Sequence, residues 1–378
     1  MERGNIMHRR IESAMTMMTD PRHFKLRLFI EGNIIGVATG MVIALFRYLL
    51  ELSEEYLPVL YRWLPEHIAW IPVWFIGLTI CAWILYRIVR KDGMTSGSGI
   101  PQIKGILLGE MDMNWARVLV LKFFGAVLGI GAGMSLGREG PSVQLGACLG
   151  QGLGRLTHRS YAESHYLLTA GAGAGLAAAF NAPLAGVIFC LEELTKNFSA
   201  FVLMGAISAA VTATTVTQYF FGMQPVFHMG VVPVIDTGHM YILLIVLGAF
   251  VGLLGLAFNP MLTRSQDFYK RIPARCRLLV PLFCAGILGF LLPEILGGGS
   301  RLVDSLVVTN YTMAFLVLLL VGKFLFTMIC FGSGVPGGIF LPMLVLGSVG
   351  GAVFARSAVL LGLLAPQPFL ATFTGDAS

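Results

Sequence analysis

Arg138 and Glu139 stand between two glycines, in the run Gly137-Arg138-Glu139-Gly140-Pro141, and the chain on both sides of them is apolar. Residues 118 to 136 are nearly all apolar apart from Lys122 and Ser135, and residues 143 to 153 are again mostly apolar and small. An ionisable side chain at bilayer depth costs roughly 2.5–3.5 kcal/mol on insertion scales, so it persists chiefly where it has a function. The neighbouring glycines and proline let the backbone leave its helix and turn its amides toward something else. A second glycine break, Gly97-Ser98-Gly99-Ile100-Pro101, follows a basic stretch. Pro101 suits the first turn of a short helix. Ser98 can offer its hydroxyl to an anion or act as a helix cap in a turn, and the residues alone leave both open.

A third glycine-rich run, Gly338-Ile339-Phe340-Leu341-Pro342-Met343-Leu344-Val345-Leu346-Gly347, repeats glycine, proline, leucine and glycine at the offsets they hold from Gly137 to Gly146. Each run predicts a helix start. The first backbone N–H groups of a helix lack internal partners, and its dipole makes that end positive. Two such ends meeting at mid-membrane make an anion site without a full positive charge. The pattern predicts two related halves: a polar segment over 1–26, a first membrane repeat over 27–221, a linker over 222–239 and a second repeat over 240–378.

The elements that position these residues belong to a membrane protein. Of the 378 residues, 56% are hydrophobic and 12% charged, where soluble domains run near about 25% charged. Apolar segments near 27–50, 71–89, 116–136, 141–156, 166–195, 200–221, 240–259, 277–293, 312–331 and 338–363 are candidate spans, several of them short or glycine-broken as in transporters. Basic residues cluster at Arg87, Arg90, Lys91 and Lys104, at Arg155 and Arg159, and at Lys270, Arg271, Arg275 and Arg277. By the positive-inside rule these loops and the basic N-terminus face the cytoplasm, while the acidic stretch with Glu51, Glu54, Glu55 and Glu66 faces outward. Basic clusters at segment ends read as topology signals, so nucleic acid is not an expected partner. Six scattered cysteines and seven histidines give no metal spacing, and no cofactor or metal is expected. Gly129-Ile130-Gly131-Ala132-Gly133 has the glycines of a nucleotide loop without its strand context or lysine, which argues against an enzyme.

With these motifs in order, the chain resembles the CLC family of chloride channels and proton-coupled chloride transporters, most of all the bacterial exchangers. The residues that carry the resemblance are 97–101, 137–141, 338–342 and the stretch 177–193, AAAFNAPLAGVIFCLEE. It covers residues 27 to 365. The resemblance implies an all-α membrane fold of two inverted repeats with broken, tilted helices, and H+/Cl- antiport as the activity. It implies that Ser98 and the backbone amides of Gly140, Ile339 and Phe340 bind chloride. It makes Glu139 the external gate and proton acceptor, and Glu193 the internal proton-transfer group. Arg138 would support the local charge balance or act as a structural partner. From the residues alone, Glu192 and Glu193 also read as an ordinary helix end, with Lys196 in reach of either. Chloride, protons and membrane lipid are the implied partners, and the inner membrane is the implied location.

The sequence also departs from the family pattern. Gln102 and Lys104 stand where acids are common, a change expected to alter a cytoplasmic surface charge and leave the reaction alone. Tyr311 is the last tyrosine, so no late tyrosine completes the central anion site, and Asn181-Ala182-Pro183-Leu184 has no second-half counterpart. The second repeat is therefore expected to be truncated, with a homodimer forming once the missing segments are supplied. A passive CLC-type chloride channel and an inactive truncated fragment are the alternative readings.

Overall fold

The computed structural model describes residues 21–196, 198–223 and 238–363, and the described residues are all-helical. The first half runs α1 (Pro21–Trp63), α2 (Ile71–Lys91), α3 (Ile100–Leu107), α4 (Trp115–Gly131), α5 (Glu139–Leu156), α6 (Tyr161–Phe180), α7 (Pro183–Phe189) and α8 (Ala200–Phe221). The second runs α9 (Gly238–Arg271), α10 (Leu279–Leu291), α11 (Ser300–Val308), α12 (Met313–Gly332) and α13 (Phe340–Leu360). By length and composition α1, α2, α8, α9, α12 and α13 can each cross a membrane. Most of the expected linker, the first twenty residues and the last fifteen lie outside the described residues.

Two expectations about the spans change. The apolar stretch 166–195 is not one helix. α6 stops at Phe180, Asn181 takes a left-handed conformation (φ 57°), and Pro183 opens α7. Proline lacks the amide for a helical bond and pushes the residue before it out of the helical region, so the break is local and steric. α7 then widens into a π-helical turn at Cys190–Thr195. The second change is at the Arg138–Glu139 pair: α5 starts two residues earlier than hydropathy suggests, with buried Glu139 as its first residue.

The first half packs through small residues. A Cβ on Gly146 would run into the carbonyl of Gly171, and one on Gly150 into the carbonyl of Leu167, so α5 and α6 touch backbone to backbone. Close approach of this kind holds helices together where lipid removes the usual hydrophobic drive. The largest buried cluster joins α1, α2 and α4 to α10, α12 and α13 through Phe46, Leu85, Ala126, Leu282, Phe326 and Val345. α9 turns most of its apolar surface outward, including Ile242, Ile245, Leu253 and Leu256, as a lipid-facing helix does.

The halves match beyond the run that links Gly137 to Gly338. Gly97 and Gly99 have φ of 63° and 91°, and Gly297 and Gly299 have 62° and 92°. These left-handed positions favour glycine. Each loop is pinned from behind by a lysine that is fully buried. Lys122 on α4 donates to the carbonyls of Thr95 (3.0 Å) and Gly97 (2.6 Å), and Lys323 on α12 to those of Ile295 (2.9 Å) and Gly297 (2.8 Å). The helices after the matching lysines, α5 and α13, differ in what covers them. Gly347 and Gly351 of α13 occupy the places of Gly146 and Gly150, yet a Cβ on either would meet nothing within 4 Å.

Candidate functional site

The three glycine runs meet at one point. Gly137 and Gly338 exchange amide-to-carbonyl bonds, each 2.7 Å, as an isolated antiparallel bridge, and the Gly337 amide donates to the Gly97 carbonyl at 3.0 Å. A Cβ on Gly140 would lie 2.8 Å from the Ser98 Cβ, and one on Gly338 would lie 3.0 Å from the Gly140 amide nitrogen. The starts of α3, α5 and α13 therefore converge on the same few ångströms, which concentrates the positive ends of three helices.

Glu139 sits in that convergence at 2% exposure. Its carboxylate lies in reach of its own backbone amide and that of Leu341 on α13. The second oxygen, Oε2, is buried with no hydrogen-bond partner. A buried carboxylate oxygen without a donor is a costly arrangement, and such groups call for a functional explanation. Arg138 does not pair with it: the guanidinium Nη1 lies 3.6 Å from Glu51 Oε1, which also accepts from Arg47 Nε at 2.6 Å.

Ser98 is half-buried, and its Oγ accepts a long bond from the Ile100 amide (3.4 Å). The cap position itself belongs to Gly99, so the serine is no regular N-cap, and its hydroxyl proton remains available to a ligand. It lines a cavity of about 600 Å³ together with Arg90, Lys270 and Arg277, a basic mouth suited to anions. Ile339 caps the start of α13 and Phe340 is its first residue, 47% exposed, with its ring edge-on to Phe180 at 5.6 Å. Apolar side chains fit a role played by their backbone amides.

Glu193 lies apart from this cluster, on the π-helical turn and 51% exposed. Its partner is Lys104 of α3, whose Nζ contacts Glu193 Oε1. Lys196, the expected partner, is exposed in a left-handed conformation. Lys104 is thus no free surface charge. Sequence reasoning also missed Lys323. Its signal was available: a lysine in an apolar run placed in the second half as Lys122 is in the first.

A protein family described as voltage gated chloride channel matches residues 77–374. The chain belongs to this family. Among curated members, the H(+)/Cl(-) exchange transporter ClcA of Vibrio parahaemolyticus is 36% identical over 365 residues, which cover 92% of this chain and 77% of that protein. ClcA of Citrobacter koseri is 33% identical over 95% of this chain and 76% of its own length. Of solved structures, a slow cyanobacterial Cl-/H+ antiporter matches with a TM-score of 0.82 at 32% identity, over 90% of this chain and 82% of that one. A CLC-type fluoride/proton antiporter matches with 0.73 at 25% identity, over the same shares. This member of the chloride-channel family is a multi-pass membrane protein with the CLC fold, and its similarity to secondary transporters sets it outside the enzymes.

Proposed function

We propose that this protein exchanges chloride for protons across a membrane through the point where α3, α5 and α13 converge. The observation that carries the reading is Glu139, a carboxylate buried among helix-end amides with one oxygen left unbonded. An ionised carboxylate there occupies the place an anion would take. Protonation removes its charge, weakens its hold on the amides and lets chloride replace it. The Ser98 hydroxyl and the amides of Gly140, Ile339 and Phe340 then bind the anion, and Lys122 holds the loop in place through the Gly97 carbonyl. Glu193 takes up protons at the cytoplasmic face for delivery toward Glu139. Arg138 holds the outer end of α5 against α1 through Glu51. The curated relatives named for H+/Cl- exchange support this reading.

The same proposal covers placement. The protein sits in an inner membrane with its N-terminus and basic loops cytoplasmic, organised as repeats over 27–221 and 240–378 joined by 222–239, and pairs with a second copy. The deciding experiment is reconstitution into sealed vesicles with an imposed chloride gradient. Exchange drives protons uphill against their own gradient, and Glu193→Gln abolishes that movement while chloride still flows. Chloride flux that never moves protons uphill would show a passive channel and sink the exchange mechanism.

A further inference from the structure

The geometry points to Lys104 as the residue that controls proton uptake by Glu193; this rests on the proton role proposed above for Glu193. Lys104 and Glu193 are far apart in sequence yet form a direct ion pair between α3 and the π-helical turn. Both ends of the contact are built. α3 is fixed by the buried side chains Ile103 and Ile106 on either side of Lys104. The widened turn is closed by the Thr195 hydroxyl, which donates to the Cys190 carbonyl at 2.9 Å, and extra residues of this kind inside a helix commonly re-aim a functional side chain.

The other charged and titratable groups on the elements packed around this turn are engaged elsewhere or lie in solvent. Glu192 and Lys196 are exposed beside it. On α6, Glu163 accepts from the Ser160 amide (3.0 Å) and pairs with Arg27 (3.5 Å), and His165 faces the carbonyls of Tyr161 and Ile106. Tyr166 of α6 stacks edge-on against Phe24. α7 carries no titratable residue, and α8 carries only Tyr219 near its far end. Among the described residues, Lys104 is the cation in contact with Glu193.

A proton arriving from the cytoplasm competes with this ammonium for the same carboxylate oxygen, and the positive charge also repels it. A proton taken up on either oxygen of Glu193 cancels the charge that holds the pair, so uptake and pairing oppose each other. The transfer is simple: a hydronium or buffer acid gives its proton to a Glu193 carboxylate oxygen, and Lys104 remains protonated but unpaired. That released charge sits on the short helix that follows Ser98, and the start of this helix lines the basic cavity through Pro101 and Gln102. Proton uptake and anion entry therefore favour each other, as linkage requires of coupled sites.

The full chain in vesicles tests this, with pH varied on the cytoplasmic face only. Lys104→Gln is expected to raise the internal pH of half-maximal exchange by about 0.5 unit, roughly a threefold lower proton concentration, as befits a half-exposed pair. Lys104→Arg keeps the wild-type profile. In a Glu193→Gln background, where chloride still flows without protons, Lys104→Gln leaves the pH profile of the chloride flux unchanged. If Lys104→Gln does not fold, Lys104→Cys modified with an aminoethyl thiol reagent restores the charge on folded protein and should restore the profile. An unshifted profile in Lys104→Gln, or the same shift without Glu193, overturns the assignment. If the wild type moves chloride without protons, the exchange reading fails and this inference with it. If the wild type couples, Glu193→Gln uncouples it and Lys104→Gln changes nothing, only the role of Lys104 fails.

Discussion

The carboxylate of Glu139 has an oxygen with nothing to bond, in a place where three helix starts supply donors. Glutamine at this position keeps the shape and can neither ionise nor carry a proton across. Glu139→Gln is expected to leave chloride flux running and nearly independent of pH while proton movement disappears, read by parallel chloride and pH electrodes. In the wild type the sign is fixed by the same group: acid protonates the carboxylate, the amides are freed, and exchange quickens as pH falls. At this scale the sequence was informative where cost was local. A glutamate in an apolar run announces itself by its insertion penalty alone. The partner of Glu193 was not legible, because Lys104 is 89 residues away and only the fold brings the two together. Lys196, four positions or fewer from both glutamates, was the natural reading from helical spacing, and the left-handed turn at that residue removes it.

At the scale of elements, the same glycine means different things in the two halves. Gly146→Ala forces a methyl into the Gly171 carbonyl, whereas Gly347→Ala projects one into open space. The first is expected to lower yield and thermal stability in detergent sharply, by a few kcal/mol or more, in the manner of overpacking. The second is expected to leave melting within error of the wild type. The paired lysines make a matching prediction. Lys122→Met and Lys323→Met each leave two carbonyls without their donor, at about 1–3 kcal/mol per orphaned group, and both should melt early by similar amounts. Hydropathy and proline placement made most helices readable, since length and composition decide spans. The π-helical turn was not readable, because no residue type marks it. The matching of Gly97 and Gly99 with Gly297 and Gly299 is not legible in the sequence, because glycine pairs are common and only their shared left-handed backbone sets these apart.

For the whole molecule, orientation has a direct readout in the native chain. Cys276 is the exposed cysteine among the described residues, and it lies in the basic loop between α9 and α10. A membrane-impermeant maleimide should label it from the cytoplasmic side alone, and labelling in intact cells from outside would reverse the proposed topology. Charge placement carries this reading, through the basic clusters at segment ends and the positive-inside rule. What charge could not reveal is how the halves are joined. Gly137 and Gly338 give each other an amide where the two repeats meet. A carrier that rocks its halves apart would have to tear both bonds in every cycle, and a buried backbone group left without its partner costs about 1–3 kcal/mol. The scaffold is thus a fixed housing riveted at its midpoint. In the exchange proposed above, movement then falls to side chains inside a fixed frame, as a rivet leaves only the parts around it free to turn.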